Sequence, residues 1–172
     1  ESKLSSYKEA GINRISFGLQ SANNQELRSI GRIHDFTKFK ESYELARKAG
    51  FENINVDVMS ALPGQTVESY KYTLERVLAL EPEHISAYSL IIEEGTPFYE
   101  SYRAGKLELV SEEMDREMYH WTVDTLAEWG YGQYEISNFC RPGKYSRHNT
   151  SYWKGIAYLG CGPSAHSFDG MT

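Results

Sequence analysis

Three polar side chains lie where the sequence predicts strand ends or the loops that follow them. Gln20 ends the run Arg14–Gln20, Asp57 lies within the run Asn55–Thr66, and Arg32 follows Gly31. An amide, a carboxylate and a guanidinium can bind the carboxylate, hydroxyl and amino groups of a small polar ligand. Gln20 and Asp57 could instead satisfy backbone groups at strand ends, which is the commoner role of a single such residue, but the addition of Arg32 weakens that alternative.

Successive βα units are predicted to position these residues. Apolar residues alternate with small or polar ones over residues 14–20 and 54–59, which is typical of strands with two different faces. A third strand is expected from His84 to about Ile92, and amphipathic helices precede the second and third strands. Their apolar stripes are Phe39, Tyr43 and Ala46, and then Tyr70, Leu74, Val77 and Leu78. The spacing predicts parallel strands with right-handed crossovers.

The predicted fold class is α/β, with a partial (β/α) barrel followed by an α+β segment. Three strands do not close a barrel, which needs about eight, so residues 1–96 form either half a barrel or a small open sheet. Residues 97–172 are expected to be a truncated helical and antiparallel β part. In a (β/α) barrel, polar side chains at the carboxyl ends of the strands bind ligand, which is where Gln20 and Asp57 fall.

Local signals mark the ends of several elements. Asn23 and Glu26 have the spacing of a capping box, and Thr66 can cap the next long helix. A helix is expected from Ser111 through Trp129, with a core stripe that includes Met114, Met118 and Trp121, and a strand over 134–139.

Composition excludes several classes of protein. The 172 residues carry a formal net charge of −6 and no clustered basic run, so nucleic acid is not an expected partner. No segment approaches the ~20 apolar residues of a membrane span. The two cysteines, Cys140 and Cys161, form no CxxC pair, which indicates a reducing, cytoplasmic location. The chain begins at Glu1 without Met and is expected to be a piece of a longer protein.

The motifs together resemble those of a known family. They are similar to the oxygen-independent coproporphyrinogen III oxidase family of radical S-adenosylmethionine (SAM) proteins, and most closely to its haem chaperone branch, HemW. The segments that carry the resemblance are Arg14–Gln20, Ile30–Arg32, Asn55–Thr66, Ile85–Pro97 and Arg147–Trp153. The last of them looks like the HNxxYW motif of the chaperone branch. The partial barrel is therefore expected to hold the later strands of a radical SAM barrel.

The resemblance implies a SAM site lined by Gln20, Arg32, Asp57 and Ile91. Arg32 would suit the methionyl carboxylate, and Gln20 would donate and accept hydrogen bonds. Asp57 would accept hydrogen bonds from the ribose hydroxyls or the amino group. Ile91 would supply apolar or backbone contact. The alternation leaves two faces open for the third strand, with either Ser86, Tyr88 and Leu90 or Ala87, Ser89 and Ile91 facing inward.

The resemblance also implies a haem motif made of His148, Asn149, Tyr152 and Trp153. The His148 imidazole could bind haem iron while the aromatic rings flank the porphyrin. A turn anchored by buried aromatic side chains would produce the same pattern. His34, His84 and His120 show no ligand spacing and are expected at the surface or at strand edges.

One part of the family pattern is absent from this sequence. The CxxxCxxC motif that binds a 4Fe-4S cluster does not occur, and Cys140 and Cys161 cannot replace its three closely spaced thiolates. By the resemblance, the cluster ligands lie outside this chain, before Glu1, and no residue here is a cluster ligand. The chain alone is expected to perform no radical chemistry.

Three functions follow from these observations. The first is a haem chaperone that binds haem, SAM and a cluster at full length and passes haem to an acceptor protein. The second is an enzyme of the same family, which would decarboxylate the propionates of coproporphyrinogen III. The third is a non-catalytic α/β module that binds another small molecule. Half a barrel would also expose sheet edges, which predicts aggregation or a homodimer.

Overall fold

A computed structural model describes residues 2–171. Seven helices and five strands are assigned within that range. The helices are α1 (Ser2–Glu9), α2 (Asn24–Ser29), α3 (Phe36–Lys48), α4 (Val67–Leu78), α5 (Pro97–Arg103), α6 (Glu112–Glu128) and α7 (Arg147–Trp153). The strands are β1 (Ile15–Gln20), β2 (Ile54–Ser60), β3 (His84–Ser89), β4 (Gly132–Gln133) and β5 (Asn138–Cys140).

The strands form one mixed sheet in the order β1-β2-β3-β5-β4. β1, β2 and β3 run parallel, as the βα spacing predicts, and the β4–β5 hairpin continues the sheet in the antiparallel sense. Because β5 pairs directly with β3, the later part of the chain extends the same sheet. The α/β fold class with a parallel-rich sheet is therefore confirmed.

The core lies between the sheet and helices α3, α4 and α6. The predicted stripes of α3 and α4 are buried, and so are the alternate apolar residues of β2, which are Ile54, Val56 and Val58. At full burial each such side chain contributes about 1.5–3 kcal/mol. The core stripe of α6 is also confirmed, since Met114, Met118 and Trp121 pack with Val67 and Tyr70 of α4.

Most predicted helix ends agree with the structure. Thr66 caps α4 in a capping box with Ser69, and Ser111 caps α6. Asn23 also caps α2, by accepting from the Gln25 backbone amide, but Glu26 does not complete the predicted box. No helix within residues 2–171 is long and apolar enough to cross a membrane.

Two predicted strands differ from the observed ones. β3 ends at Ser89 and not near Ile92, because its partner β2 ends at Ser60 and Ala61 then takes a φ of 57°. The predicted strand over 134–139 is a hairpin instead, with pairing only at β4 and β5. In its connection the Tyr134 backbone amide donates to Asn138 O at 3.1 Å, and the Tyr134 hydroxyl lies 2.7 Å from His84 Nε2.

Candidate functional site

The sheet has a polar face opposite the helices, which we call the inner face. Asn55 and Asp57 of β2 lie on it, as do His84, Ser86 and Tyr88 of β3, where hydrogen bonds join them to other inner-face side chains. Ile85 and Ala87 belong instead to the core under the helices. Of the two alternatives for β3, the face that carries Ser86 and Tyr88 is therefore the inward one.

Gln20, which ends β1, and Asp57, midway along β2, meet on the inner face. Gly18 pairs in register with Asp57, and a Cβ atom built on Gly18 would lie 2.9 Å from Gln20 Nε2 and 3.9 Å from Asp57 Oδ2. The Tyr88 hydroxyl donates to Gln20 Oε1 at 3.1 Å, which holds the amide in place. The missing side chain at position 18 thus leaves room for both polar groups.

The Asp57 carboxyl lies in a partly dehydrated and cationic environment. Burial raises its pKa above the usual range, whereas hydrogen bonds from Asn55 and Ser86 and the charges of Arg14 and Arg32 oppose that rise. Asn55 Nδ2 donates to Asp57 Oδ1 at 2.6 Å. The oriented carboxylate can accept further hydrogen bonds from a cationic or hydroxyl-bearing ligand.

Arg32 and Ile91 line one cavity of about 280 Å³ beyond the carboxyl ends of the strands. Arg32 follows α2, where its backbone amide donates to Leu27 O at 2.9 Å and Gly31 takes a φ of 72°. Ile91 follows β3 and is 78% exposed. Met59, two residues after Asp57 on β2, lines the same cavity. Gln20 and Asp57 thus adjoin each other on the inner face, and Arg32 and Ile91 line the cavity beyond the strands.

A buried carboxylate ties together the loops that follow β1 and β2. Glu26, only 5% exposed, accepts from Ser21 Oγ at 2.6 Å and from Gln65 Nε2 at 3.0 Å. Gln65 in turn accepts from the Leu62 backbone amide at 3.2 Å. This use of Glu26 explains why it does not act as the capping-box glutamate. The capping motif pointed to a local role, whereas the observed partner Gln65 is 39 residues away.

His84 is buried and not at the surface or at a strand edge, which corrects the prediction. It is 0% exposed, and burial lowers the pKa of its imidazole to about 3. Its neutral ring is held between Asn55 Oδ1, 2.6 Å from Nδ1, and the Tyr134 hydroxyl, 2.7 Å from Nε2. No local pattern indicates this role, because the partners lie 29 and 50 residues away.

Through His84, hydrogen bonds connect the Asp57 end of the inner face to helix α7. The Ser146 backbone amide donates to the Tyr134 hydroxyl at 3.2 Å, and Ser146 is the residue that caps α7. Tyr134 can donate to His84 Nε2, and His84 Nδ1 can then donate to Asn55 Oδ1. Asn55 in turn donates to Asp57, so all the hydrogen bonds point from Tyr134 toward Asp57. The path fixes the position of α7 relative to the sheet.

Helix α7 carries the predicted haem motif on an exposed surface. His148 Nε2 lies 2.5 Å from the Tyr152 hydroxyl, and its ring centroid is 4.9 Å from that of Tyr152 and 5.4 Å from that of Tyr158. Tyr152 is 49% and Trp153 69% exposed, so these aromatic side chains are not the buried anchors of a turn. Asn149 donates its backbone amide to the Ser146 cap at 3.2 Å, and its role is helix initiation in this structure.

The cysteines do not provide a cluster site. Both Cys140, which is buried, and Cys161, which is exposed, are free thiols. Within residues 2–171 no group of three or more His, Cys, Asp or Glu side chains is arranged to hold a metal ion. The residues present therefore do not fit an iron–sulfur cluster.

Comparison with known proteins agrees with the resemblance. The family model described as the radical SAM superfamily matches residues 1–77. The chain is 44% identical over 170 residues to a protein of Bacillus subtilis (strain 168) named "Heme chaperone HemW", covering 99% of this chain and 45% of that one. It is 40% identical over 166 residues to "Radical S-adenosyl methionine domain-containing protein 1, mitochondrial" of Danio rerio. That alignment covers 96% of this chain and 37% of the Danio rerio protein.

A solved structure extends this similarity to the fold. The structure of the Escherichia coli coproporphyrinogen III oxidase HemN, described as a radical SAM enzyme, superposes with a TM-score of 0.77 at 27% identity. The superposition covers 98% of this chain and 42% of that one. The chain thus spans less than half the length of the proteins that it matches. Over nearly its whole length the chain is therefore similar to HemW and HemN proteins, and its residues 1–77 match the radical SAM superfamily.

Proposed function

We propose that this chain is the part of a haem chaperone that binds SAM and haem. At its full length the protein would carry a 4Fe-4S cluster, bind haem and pass it to an acceptor protein. The observation that carries the proposal is the exposed imidazole of His148, which lies among aromatic rings on α7. The relatives named as haem chaperones support it, because they match this chain at up to 44% identity.

Helix α7 and the segment after it offer the chemistry that a metalloporphyrin needs. A neutral imidazole is a good ligand for haem iron, and aromatic or aliphatic side chains can cover the faces of the macrocycle. Large apolar side chains are unusually exposed here, at 69% for Trp153, 52% for Ile156 and 78% for Leu159. Exposed apolar surface of this kind is typical of a ligand or partner site.

The carboxyl end of the inner face fits SAM. Gln20, Arg32 and Asp57 provide an amide, a cation and an anion, and the cavity beside them is lined by Ile91. Gly18 leaves the space that a side chain would fill. When bound, SAM supplies radical chemistry, while these residues would bind and orient its polar groups. The cluster ligands would lie outside this chain, in a reducing compartment such as the cytoplasm.

The substitution Gly18→Val tests the space beside Gln20. We expect it to weaken SAM binding at least tenfold, because the new side chain must displace the Gln20 amide, whose nitrogen lies 2.9 Å from the Cβ position. Equilibrium binding to the protein at its full natural length measures the effect. Gly132→Val is the matched control, since its Cβ would meet no atom closer than 3.9 Å. Equal affinities for both variants would contradict the proposed site.

Haem binding is tested by an absorbance titration of the full-length protein. We expect a saturable Soret shift that His148→Ala weakens at least tenfold. His120→Ala is the matched control, because His120 also lies on an exposed helix face beside a tyrosine, with ring centroids 5.7 Å apart. Wild-type affinity in the His148→Ala variant would exclude His148 as the iron ligand. Absence of a saturable shift in the wild type would reject the haem role altogether.

A second candidate function is that of a coproporphyrinogen III oxidase. The similarity to the HemN structure, at a TM-score of 0.77, favours it. Anaerobic incubation of the cluster-bearing protein with SAM, a reductant and coproporphyrinogen III distinguishes the two functions. Loss of propionate carboxyl groups from the substrate would establish the oxidase, whereas unchanged substrate together with haem binding supports the chaperone.

A further inference from the structure

A second, larger cavity lies at the opposite end of the sheet from Gln20. Its volume is about 680 Å³, within the range of small-molecule sites. It is formed by the segments that precede β1 and β2, by the end of α1 and by the loop that leads into α7. Its lining includes Lys8, Arg14, Glu52, Lys144, Arg147 and His148.

The charge of this cavity is strongly positive. Lys8, Arg14, Lys144 and Arg147 line it, whereas Glu52 is its only carboxylate. The three salt bridges found in the described part of the chain involve Lys40, Arg47 and Lys71, so none neutralises a cavity cation. Lys144 Nζ donates to the backbone oxygen of Glu52 at 3.3 Å. Four cations face the single carboxylate of Glu52 in the cavity lining, and this excess of positive charge indicates an anionic ligand.

Arg14, one of the lining residues, has unused hydrogen-bond donors. Its Nε and Nη2 atoms are buried and have no hydrogen-bond partner, and Nη1 makes only a long contact of 3.4 Å to Ser16 Oγ. Leaving these two buried donors without acceptors is costly, because they have lost water and gained nothing in exchange. Two carboxylate oxygens would match the free side of its fork.

The cavity adjoins the haem motif. Ser146, Arg147, His148 and Asn149 line it, while the His148 ring also contacts the aromatic rings of Tyr152 and Tyr158. An imidazole, an aromatic surface and a group of cations therefore adjoin each other. Haem has the matching parts in the same order, which are an iron atom, a flat macrocycle and two propionates on one edge.

We propose that this cavity binds the two propionate carboxylates of haem, with Arg14, Lys144 and Arg147 as the cations that hold them. The inference rests on the proposed haem-binding function. The inference places the propionate edge of haem at the amino end of β1, whereas Gln20 lies at the carboxyl end of that strand. A six-residue strand is about 20 Å long, so the propionates would be held at the other end of β1 from Gln20.

The test compares ferric haem with its dimethyl ester, in which both propionates are uncharged. The double variant Lys144→Gln, Arg147→Gln is titrated with each ligand in the full-length protein. We expect the double variant to bind haem at least tenfold more weakly than wild type does. The affinities of the two proteins for the ester are expected to agree within a factor of three. Lys106→Gln, which removes an exposed cation outside the cavity, is the control and is expected to change neither affinity.

The outcomes separate this inference from the proposed function. Wild-type haem affinity in the double variant would overturn the propionate site while haem binding itself stands. An equal loss for haem and ester would also overturn it, because the cations would then act on the fold or on the macrocycle. If wild-type protein binds neither ligand, the proposed function fails first. Arg14→Gln is a second variant, for which the same selective loss is expected.

Discussion

We expect Asp57→Ala to weaken the binding of SAM by the full-length protein between ten- and a hundredfold. A hydrogen bond to a charged group contributes about 1.5–3 kcal/mol, which corresponds to that range. The Asp57 carboxylate is oriented by Asn55, whose Nδ2 lies 2.6 Å from Oδ1, and no other carboxylate lies on the inner-face strands. Isothermal titration calorimetry measures the change.

Two further variants identify the cause of that loss. Asp57→Asn keeps an oxygen for the Asn55 bond but removes the charge, so we expect an affinity between those of wild type and Asp57→Ala. Asp124→Ala removes an exposed carboxylate on α6 and is expected to bind SAM as wild type does. If Asp57→Ala retained wild-type affinity, Asp57 would only satisfy neighbouring polar groups. A wild-type protein that does not bind SAM would instead favour a non-catalytic module for another small molecule.

Lowering the pH from 7 to 5 is expected to reduce the free energy of unfolding by about 2 kcal/mol through His84 alone. In the folded protein burial lowers the pKa of this imidazole from 6.5 to about 3, so the ring stays neutral at pH 5. In the unfolded chain the ring takes up a proton below pH 6.5. The contribution of His84 is therefore complete above about pH 6.5 and is lost as the pH falls toward 3.

Urea unfolding at both pH values measures this dependence, and NMR of the His84 ring protons checks its origin. His84→Leu abolishes the titration, so we expect a smaller difference between pH 7 and pH 5 in that variant. The His84→Leu variant should also be less stable than wild type at both pH values, because Tyr134 and Asn55 lose a hydrogen-bond partner. His120→Gln, on the exposed face of α6, is expected to keep the wild-type pH dependence. A His84 ring that titrates near pH 6 in the folded protein would contradict the prediction.

The parallel strands and the helices packed on them were predictable because their signals are local. The alternation of Ile54, Val56 and Val58 and the stripe of Phe39, Tyr43 and Ala46 each depend on residues a few positions apart. This hydrophobic periodicity indicates which face of a helix or strand is buried. The same alternation placed Gln20 and Asp57 on the inner face, at the end of the sheet where ligands bind in barrels of this type.

The partners of the polar side chains were decided only by the tertiary structure. The sequence predicted Glu26 as a cap and His84 at a surface or edge, yet their partners Gln65 and Tyr134 lie 39 and 50 residues away. A cap or a period involves neighbours along one element, whereas these contacts depend on how separate elements are placed in space. For the same reason the sequence could not decide which face of β3 points inward. The cationic cavity lined by Arg14 exists only where α1, the sheet and the loop before α7 come together in the tertiary structure.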